Sequence, residues 1–158
     1  MPTTMIDTPQ VTQSQEMHTA VILLKIPRAE IQQVMGPAIG EVMATIAAQG
    51  LAPAGPVFSH HFRMSPETFD FEVGVPVSTP VQPAGRVVPA KLPATRVARA
   101  NYRGSYEGLG AAWGEFMKWI EAQGLRQAED LWESYAAGPE SGPDPAKWRT
   151  ELSRPLLG

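Results

Sequence analysis

Residues 40–51 read GEVMATIAAQGL and residues 114–125 read GEFMKWIEAQGL, so eight of twelve positions are identical at an offset of 74. A match of this quality inside one chain marks a duplicated structural unit. It constrains the fold more than any other feature, because whatever packs around the first copy needs a counterpart around the second. The correspondence runs on. Gly55-Pro56-Val57-Phe58 meets Glu129-Asp130-Leu131-Trp132, and Val75-Pro76-Val77 meets Arg154-Pro155-Leu156, there at an offset of 79.

Each copy has the same order of local patterns. From Thr19 a short β-branched run, Ala-Val-Ile-Leu-Leu-Lys-Ile, reads as a strand that Pro27 interrupts and Glu30 to Met35 resumes. Gly36-Pro37 punctuates the chain; Ile39, Val42, Met43 and Ile46 then recur at helical spacing up to Gly50, a C-terminal cap glycine. Val57 to Met64 and Phe69 to Val77 form a hairpin. In the second copy Thr95 to Tyr102 is a strand, and a helix N-capped by Ser105 runs from Tyr106 to Gly124. Leu131 to Ala136 and Trp148 to Leu156 complete the pair, with a Gly/Pro/Asp loop from Gly138 to Pro145. The prediction is an α+β fold: two pseudo-symmetric strand–helix–strand–strand repeats forming an antiparallel sheet with two long helices. Repeat one spans 19–77 and repeat two 94–156, within one domain over 19–158. The proline-rich stretch 78–93, with Gly85-Arg86-Val87 as a short strand, is the linker, and residues 1–18 are a flexible tail.

Composition sets bounds on function. Apolar residues are 43% of 158, an ordinary globular fraction. With a net charge of −3 and scattered cations, no direct nucleic-acid or membrane-surface partner is expected. The absence of cysteine removes disulfides, thiolate metal sites and thiol nucleophiles. Nothing reads as a secretory leader or a membrane helix, so a cytoplasmic location is expected. Exposed strand edges would allow a homodimer. Where duplicated units meet, a ligand cleft is favoured over a closed interface.

The second half contains Tyr102-Arg103-Gly104-Ser105-Tyr106-Glu107-Gly108-Leu109, then Trp132-Glu133-Ser134-Tyr135, then Pro143-Asp144-Pro145-Ala146-Lys147-Trp148-Arg149-Thr150-Glu151-Leu152. The first half contains Phe69-Asp70-Phe71-Glu72-Val73-Gly74-Val75-Pro76-Val77. In order and spacing these resemble the gyrase-inhibitory-protein-like (GyrI-like) effector-binding domain from Thr19 to Leu156. The resemblance implies a groove between the repeats for small, often aromatic or cationic molecules, with an acidic residue answering the ligand's charge; by position that residue is Glu133. Nothing before Thr19 reads as a DNA-binding helix-turn-helix, so the chain is similar to stand-alone members. Some of these resemble hydrolases that open strained cyclopropane rings of genotoxic natural products, and the namesake activity is gyrase modulation. The sequence leaves binder, hydrolase and macromolecular partner open. It departs from the family in having Tyr102 where a histidine is common.

Strand alternation puts Leu131, Glu133 and Tyr135 on one face, where a carboxylate among aromatics is desolvated and its proton affinity rises. Ionised, it binds cations; protonated, it is a general acid. Tyr106, at the start of the helix, offers a ring for cation–π contact or a phenol to assist Glu133, and Trp113 and Trp148 are further groove candidates. The offset of 74 maps Glu133 and Tyr135 onto Ser59 and His61, which with Phe71 are assigned to the opposite wall. Ser59, His61 and Glu133 do not form a nucleophilic triad: Ser59 and His61 are two apart on one strand, without a nucleophile elbow. No three or four groups converge as metal ligands and no phosphate-binding glycine loop occurs, so neither a metal nor a cofactor is expected.

Overall fold

The structure, a computed structural model, describes residues 6–64, 67–104, 108–137 and 148–157. The chain divides into two compact units, one comprising Met1–Ser14 and Thr95–Gly158 and the other Gln15–Ala94. These are called the C-terminal and the N-terminal unit.

The N-terminal unit contains β2 (Met17–Pro27), a 3-10 turn over Arg28–Glu30, α1 (Ile31–Ala48), β3 (Phe58–Met64), β4 (Thr68–Pro76) and β5 (Val87–Leu92). Its strands are antiparallel in the order β3-β4-β2-β5. Ala20, Ile22, Phe71, Val73 and Val75 face the helix and bury its Ala38, Val42 and Ile46. The C-terminal unit contains β1 (Gln10–Gln13), β6 (Arg96–Arg103), α2 (Leu109–Ala122), β7 (Arg126–Gln127), β8 (Leu131–Ala137) and β9 (Arg149–Leu157). Here the order is β1-β6-β9-β8, with β7 on the far end of β9. Its core is Ala98, Ala100 and Leu152 against Ala112, Trp113, Phe116 and Ile120.

The repeat is therefore structural as well as textual. Phe58, Ser59 and His60 of β3 pair with Gly74, Val73 and Glu72 of β4. Trp132, Glu133 and Ser134 of β8 pair with Ser153, Leu152 and Glu151 of β9. Every partner is shifted by the offsets read from the sequence, 74 on the first strand and 79 on the second. Both hairpins break register in the same place, between His61 and Arg63 and between Ser134 and Ala137.

The helix ends agree with the sequence reading. Gly50 and Gly124 have φ of 74° and 72°. The Leu125 amide donates to the Ile120 carbonyl at 3.2 Å and the Gly124 amide to Glu121 at 3.0 Å, a Schellman closure that requires a left-handed residue. A Cβ on Gly124 would touch nothing within 4 Å, so only backbone strain opposes substitution. Gly124→Val is expected to cost about 1–2 kcal/mol in urea denaturation, and an unchanged midpoint would contradict this helix end.

Other expectations need correction. Residues 6–14 are not a flexible tail: Ile6 is buried and bridges Tyr102, β1 pairs with β6, and the Thr95 amide donates to Ser14 Oγ. Backbone pairing needs no apolar run, so composition did not reveal it. Nor does a strand resume at Glu30. Ile31, Val34, Met35 and Ala38 share the helical period of Val42 and Ile46, and α1 carries Pro37 in its interior. A proline there removes one backbone bond, which burial of the whole stripe outweighs. The linker 78–93 contains β5, which pairs with β2 over Met17–Ile22; Pro89 is accommodated because β5 forms one margin of that unit's strand order. The Gly108 backbone caps α2, while Ser105, Tyr106 and the loop 138–145 lie outside the described residues.

Candidate functional site

On the helix side of the C-terminal unit, α2 and β8 bring three of the expected residues together. Trp113 lies in the first half of α2 on its buried stripe, tilted against Phe116 at 5.6 Å between ring centroids. Its indole N–H donates to Glu133 Oε2 at 2.6 Å. The Tyr135 hydroxyl, two residues along β8, donates to Oε1 at 2.8 Å. The predicted face of Leu131, Glu133 and Tyr135 is thus realised, with Leu131 in the core and the other two joined by a hydrogen bond. Leu152 stands opposite Glu133 on β9.

The electrostatics of this cluster are unusual. Glu133 as a whole is half-buried, but its carboxyl group sits inside the protein, and burial pushes its pKa up from the ordinary carboxylate range. The Trp113 and Tyr135 hydrogen bonds oppose that shift without cancelling it. Both donors are neutral, and among the described residues Glu133 has no cationic partner. A buried carboxylate with its hydrogen bonds satisfied and its charge uncompensated either keeps a proton or awaits a positive charge from outside.

The raised pKa has a stability signature. The folded state holds the Glu133 proton more tightly than the unfolded state. Stability therefore falls as pH rises from the usual carboxylate range through the elevated value, and is flat above it. Chemical denaturation across that window is expected to show the decline in the wild type and not in Glu133→Gln. Identical slopes would mean that the carboxyl is hydrated.

Ser59, His61 and Phe71 lie together in the N-terminal unit. Ser59 and Phe71 are fully buried and His61 is 5% exposed. His61 Nε2 is 3.2 Å from Ser59 Oγ, and the imidazole stacks on Phe71 at 4.9 Å and meets Phe69 edge-on at 5.2 Å. Ser59 pairs across the hairpin with Val73 as Glu133 does with Leu152, so the repeat equivalence holds at the level of side-chain faces. Trp148 precedes β9; its carbonyl accepts the Gly104 amide at 3.1 Å and ties that end of β9 to the end of β6. Tyr106 lies outside the described residues. Tyr102 is a core residue of the C-terminal unit, and a Cβ on Gly104 (φ 141°) would come within 2.8 Å of its hydroxyl.

Sequence reasoning missed Thr150. It is fully buried on β9 and pairs with Tyr102 of β6, two residues before Leu152. Its hydroxyl has no hydrogen-bond partner among the described residues. Alternation along β9 would have placed it on the Glu133 side, but an unsatisfied hydroxyl cannot be read from residue order.

Each repeat thus packs one helix on an antiparallel hairpin, and the second holds a carboxyl group between an indole and a phenol donor with no cation beside it among the described residues. The model of the GyrI-like small molecule binding domain matches residues 7–157, and the chain belongs to that family. None of the curated proteins matches it. Among solved structures, the C-terminal domain of EcmrR is similar over 95% of this chain and 97% of that one, with a TM-score of 0.83 at 21% identity. In the EcmrR–DNA complex the match covers 94% of this chain but 57% of the EcmrR chain, with a TM-score of 0.82 and 21% identity. SAV2435 bound to tetraphenylphosphonium matches with a TM-score of 0.70 at 13% identity, over 96% of this chain and 95% of that one. A hydrolase from Listeria innocua matches with a TM-score of 0.62 at 14% identity, over 94% and 91%. At these identities the likeness is one of fold. Among the described residues no helix is long and apolar enough to cross a membrane, and no group of three metal-ligating side chains is found.

Proposed function

We propose that the protein binds apolar, aromatic cations, with Glu133 as counter-ion and Trp113 and Tyr135 as the groups that hold its carboxylate in place. One observation carries this reading: a buried carboxylate with two neutral donors and no cation beside it among the described residues. A cation about 4 Å away gains roughly 4 kcal/mol at the effective dielectric of a protein site. Neutral donors leave that gain to the ligand, where an internal Lys or Arg would have taken it. The phosphonium ligand of the structural neighbour SAV2435 has the matching chemistry.

The test is calorimetric titration of tetraphenylphosphonium into the protein from pH 8 downward. One-to-one binding is expected, with affinity falling as pH drops through the elevated Glu133 value, because protonation removes the counter-charge. Absence of binding, or binding insensitive to pH across that window, would sink the proposal.

The same elevated proton affinity favours a second reading, acid-catalysed hydrolysis of a strained ring. Glu133 would give its proton to the ring atom that takes the electrons of the breaking bond. Water would add to the atom left electron-poor and then lose a proton, returning Glu133 to its starting state. Incubation with a cyclopropane-bearing electrophile and mass spectrometry decides it: a product heavier by one water, formed by the wild type and not by Glu133→Gln, supports it. Recovery of the intact compound with both proteins argues against it.

A further inference from the structure

Among the described residues on the helix side of the C-terminal unit, the hydroxyl of Thr150 is a feature that cation binding leaves unexplained. Thr150 is 0% exposed, and its Oγ1 has no hydrogen-bond partner among the described residues. Buried hydroxyls are almost always satisfied, because desolvating one without a partner is costly. The position is not arbitrary. Leu152 pairs with both Ala100 and Glu133, and Thr150 is the next residue of β9 on the same face, opposite Tyr102. Diagonal neighbours of this kind are separated by about 7–8 Å in a regular antiparallel pair. The repeat makes the contrast plain. At the offset of 79, Thr150 occupies the place of Phe71, which fills the N-terminal unit's core and stacks on His61. In the C-terminal unit a smaller, polar side chain stands there, and the ring is replaced by a hydroxyl with nothing to bond.

Resting on the cation-binding reading, we propose that Thr150 is a specificity residue of the Glu133 site. Its hydroxyl is satisfied by a polar group on the ligand, so the preferred ligand is an aromatic cation that carries a hydroxyl or carbonyl on the side directed along β9. Thr19 supplies an internal control. Its hydroxyl is also buried without a partner, but it lies on β2 between Pro76 and Ala90, in the N-terminal unit.

The experiment compares Thr150→Val, Thr150→Ser and Thr19→Val with the wild type, without ligand and with two probe cations at pH 8. The probes are the isomeric [(hydroxymethyl)phenyl]triphenylphosphonium ions and their ethylphenyl counterparts, matched in size. Without ligand, both valine variants are expected to melt higher than the wild type, because each loses an unpaired buried hydroxyl. For at least one isomer, the wild type and Thr150→Ser are expected to prefer the hydroxymethyl probe about tenfold over the ethyl probe. Thr150→Val is expected to lose that preference, and Thr19→Val to retain it. A Thr150→Val protein that melts lower than the wild type, or that keeps the preference, overturns the proposal. Equal wild-type affinities for every probe pair overturn it too, while leaving the cation-binding reading intact. No binding of any probe by the wild type overturns both.

Discussion

Glu133→Gln is expected to weaken tetraphenylphosphonium binding by roughly 30- to 150-fold at pH 8, which corresponds to about 2–3 kcal/mol. The replacement is nearly isosteric. A glutamine can accept the Trp113 indole N–H on its oxygen and donate from its amide to the Tyr135 hydroxyl, so both hydrogen bonds at 2.6 and 2.8 Å have successors. What disappears is the charge. The loss is smaller than the full coulombic attraction because the variant no longer carries the cost of a desolvated anion in its free state. The same reasoning predicts that Glu133→Gln folds at least as stably as the wild type above the elevated pKa, where the wild type carries the penalty of an ionised buried carboxyl. Its affinity should also be flat with pH where that of the wild type falls. Isothermal titration at several pH values, with denaturation curves for the same samples, checks all three. A variant that binds like the wild type would remove Glu133 from the site.

Gly74→Ala is expected to be the most damaging single-methyl addition among the described glycines, costing about 3 kcal/mol or more and leaving little folded protein at 37 °C. Gly74 pairs with Val21 of β2 on one side and Phe58 of β3 on the other. A Cβ built there would overlap the carbonyl oxygen of Ala20 and approach both the Ala20 carbonyl carbon and Val21 Cγ1 at 2.8 Å. Two of these atoms are backbone of an adjacent strand in the N-terminal unit, so no rotamer change relieves the clash. Comparison with Gly40→Ala isolates the cause, since a Cβ on Gly40 meets nothing within 4 Å and alanine favours a helix. Denaturant midpoints near wild type for both variants would show that the two strands can separate without cost.

The duplication was legible because it is carried by residue identity. The matching halves announced two equivalent units, and the offsets of 74 and 79 proved to be the register of the two hairpins. The helix ends were legible because glycine is the residue favoured at positive φ, where Gly50 and Gly124 stand. The face shared by Leu131, Glu133 and Tyr135 followed from strand alternation alone. What escaped notice was whatever depended on backbone pairing rather than side-chain pattern. Gln10–Gln13 became an edge strand, Val87–Leu92 paired with β2 despite Pro89, and α1 ran through Gly36-Pro37 because burial of its apolar stripe outweighs one missing hydrogen bond.

The sequence by itself determined the kind of fold and the residue with the charge, because periodicity, glycine placement and repetition are local properties that survive in one dimension. Only the tertiary structure decided that Trp113 and Tyr135 hold that charge, that the Thr150 hydroxyl on the same sheet face has no partner among the described residues, and that a side chain on Gly74 collides with the Ala20 backbone. Each of these depends on the distance between atoms remote along the chain, which is fixed by packing rather than by the order of residues.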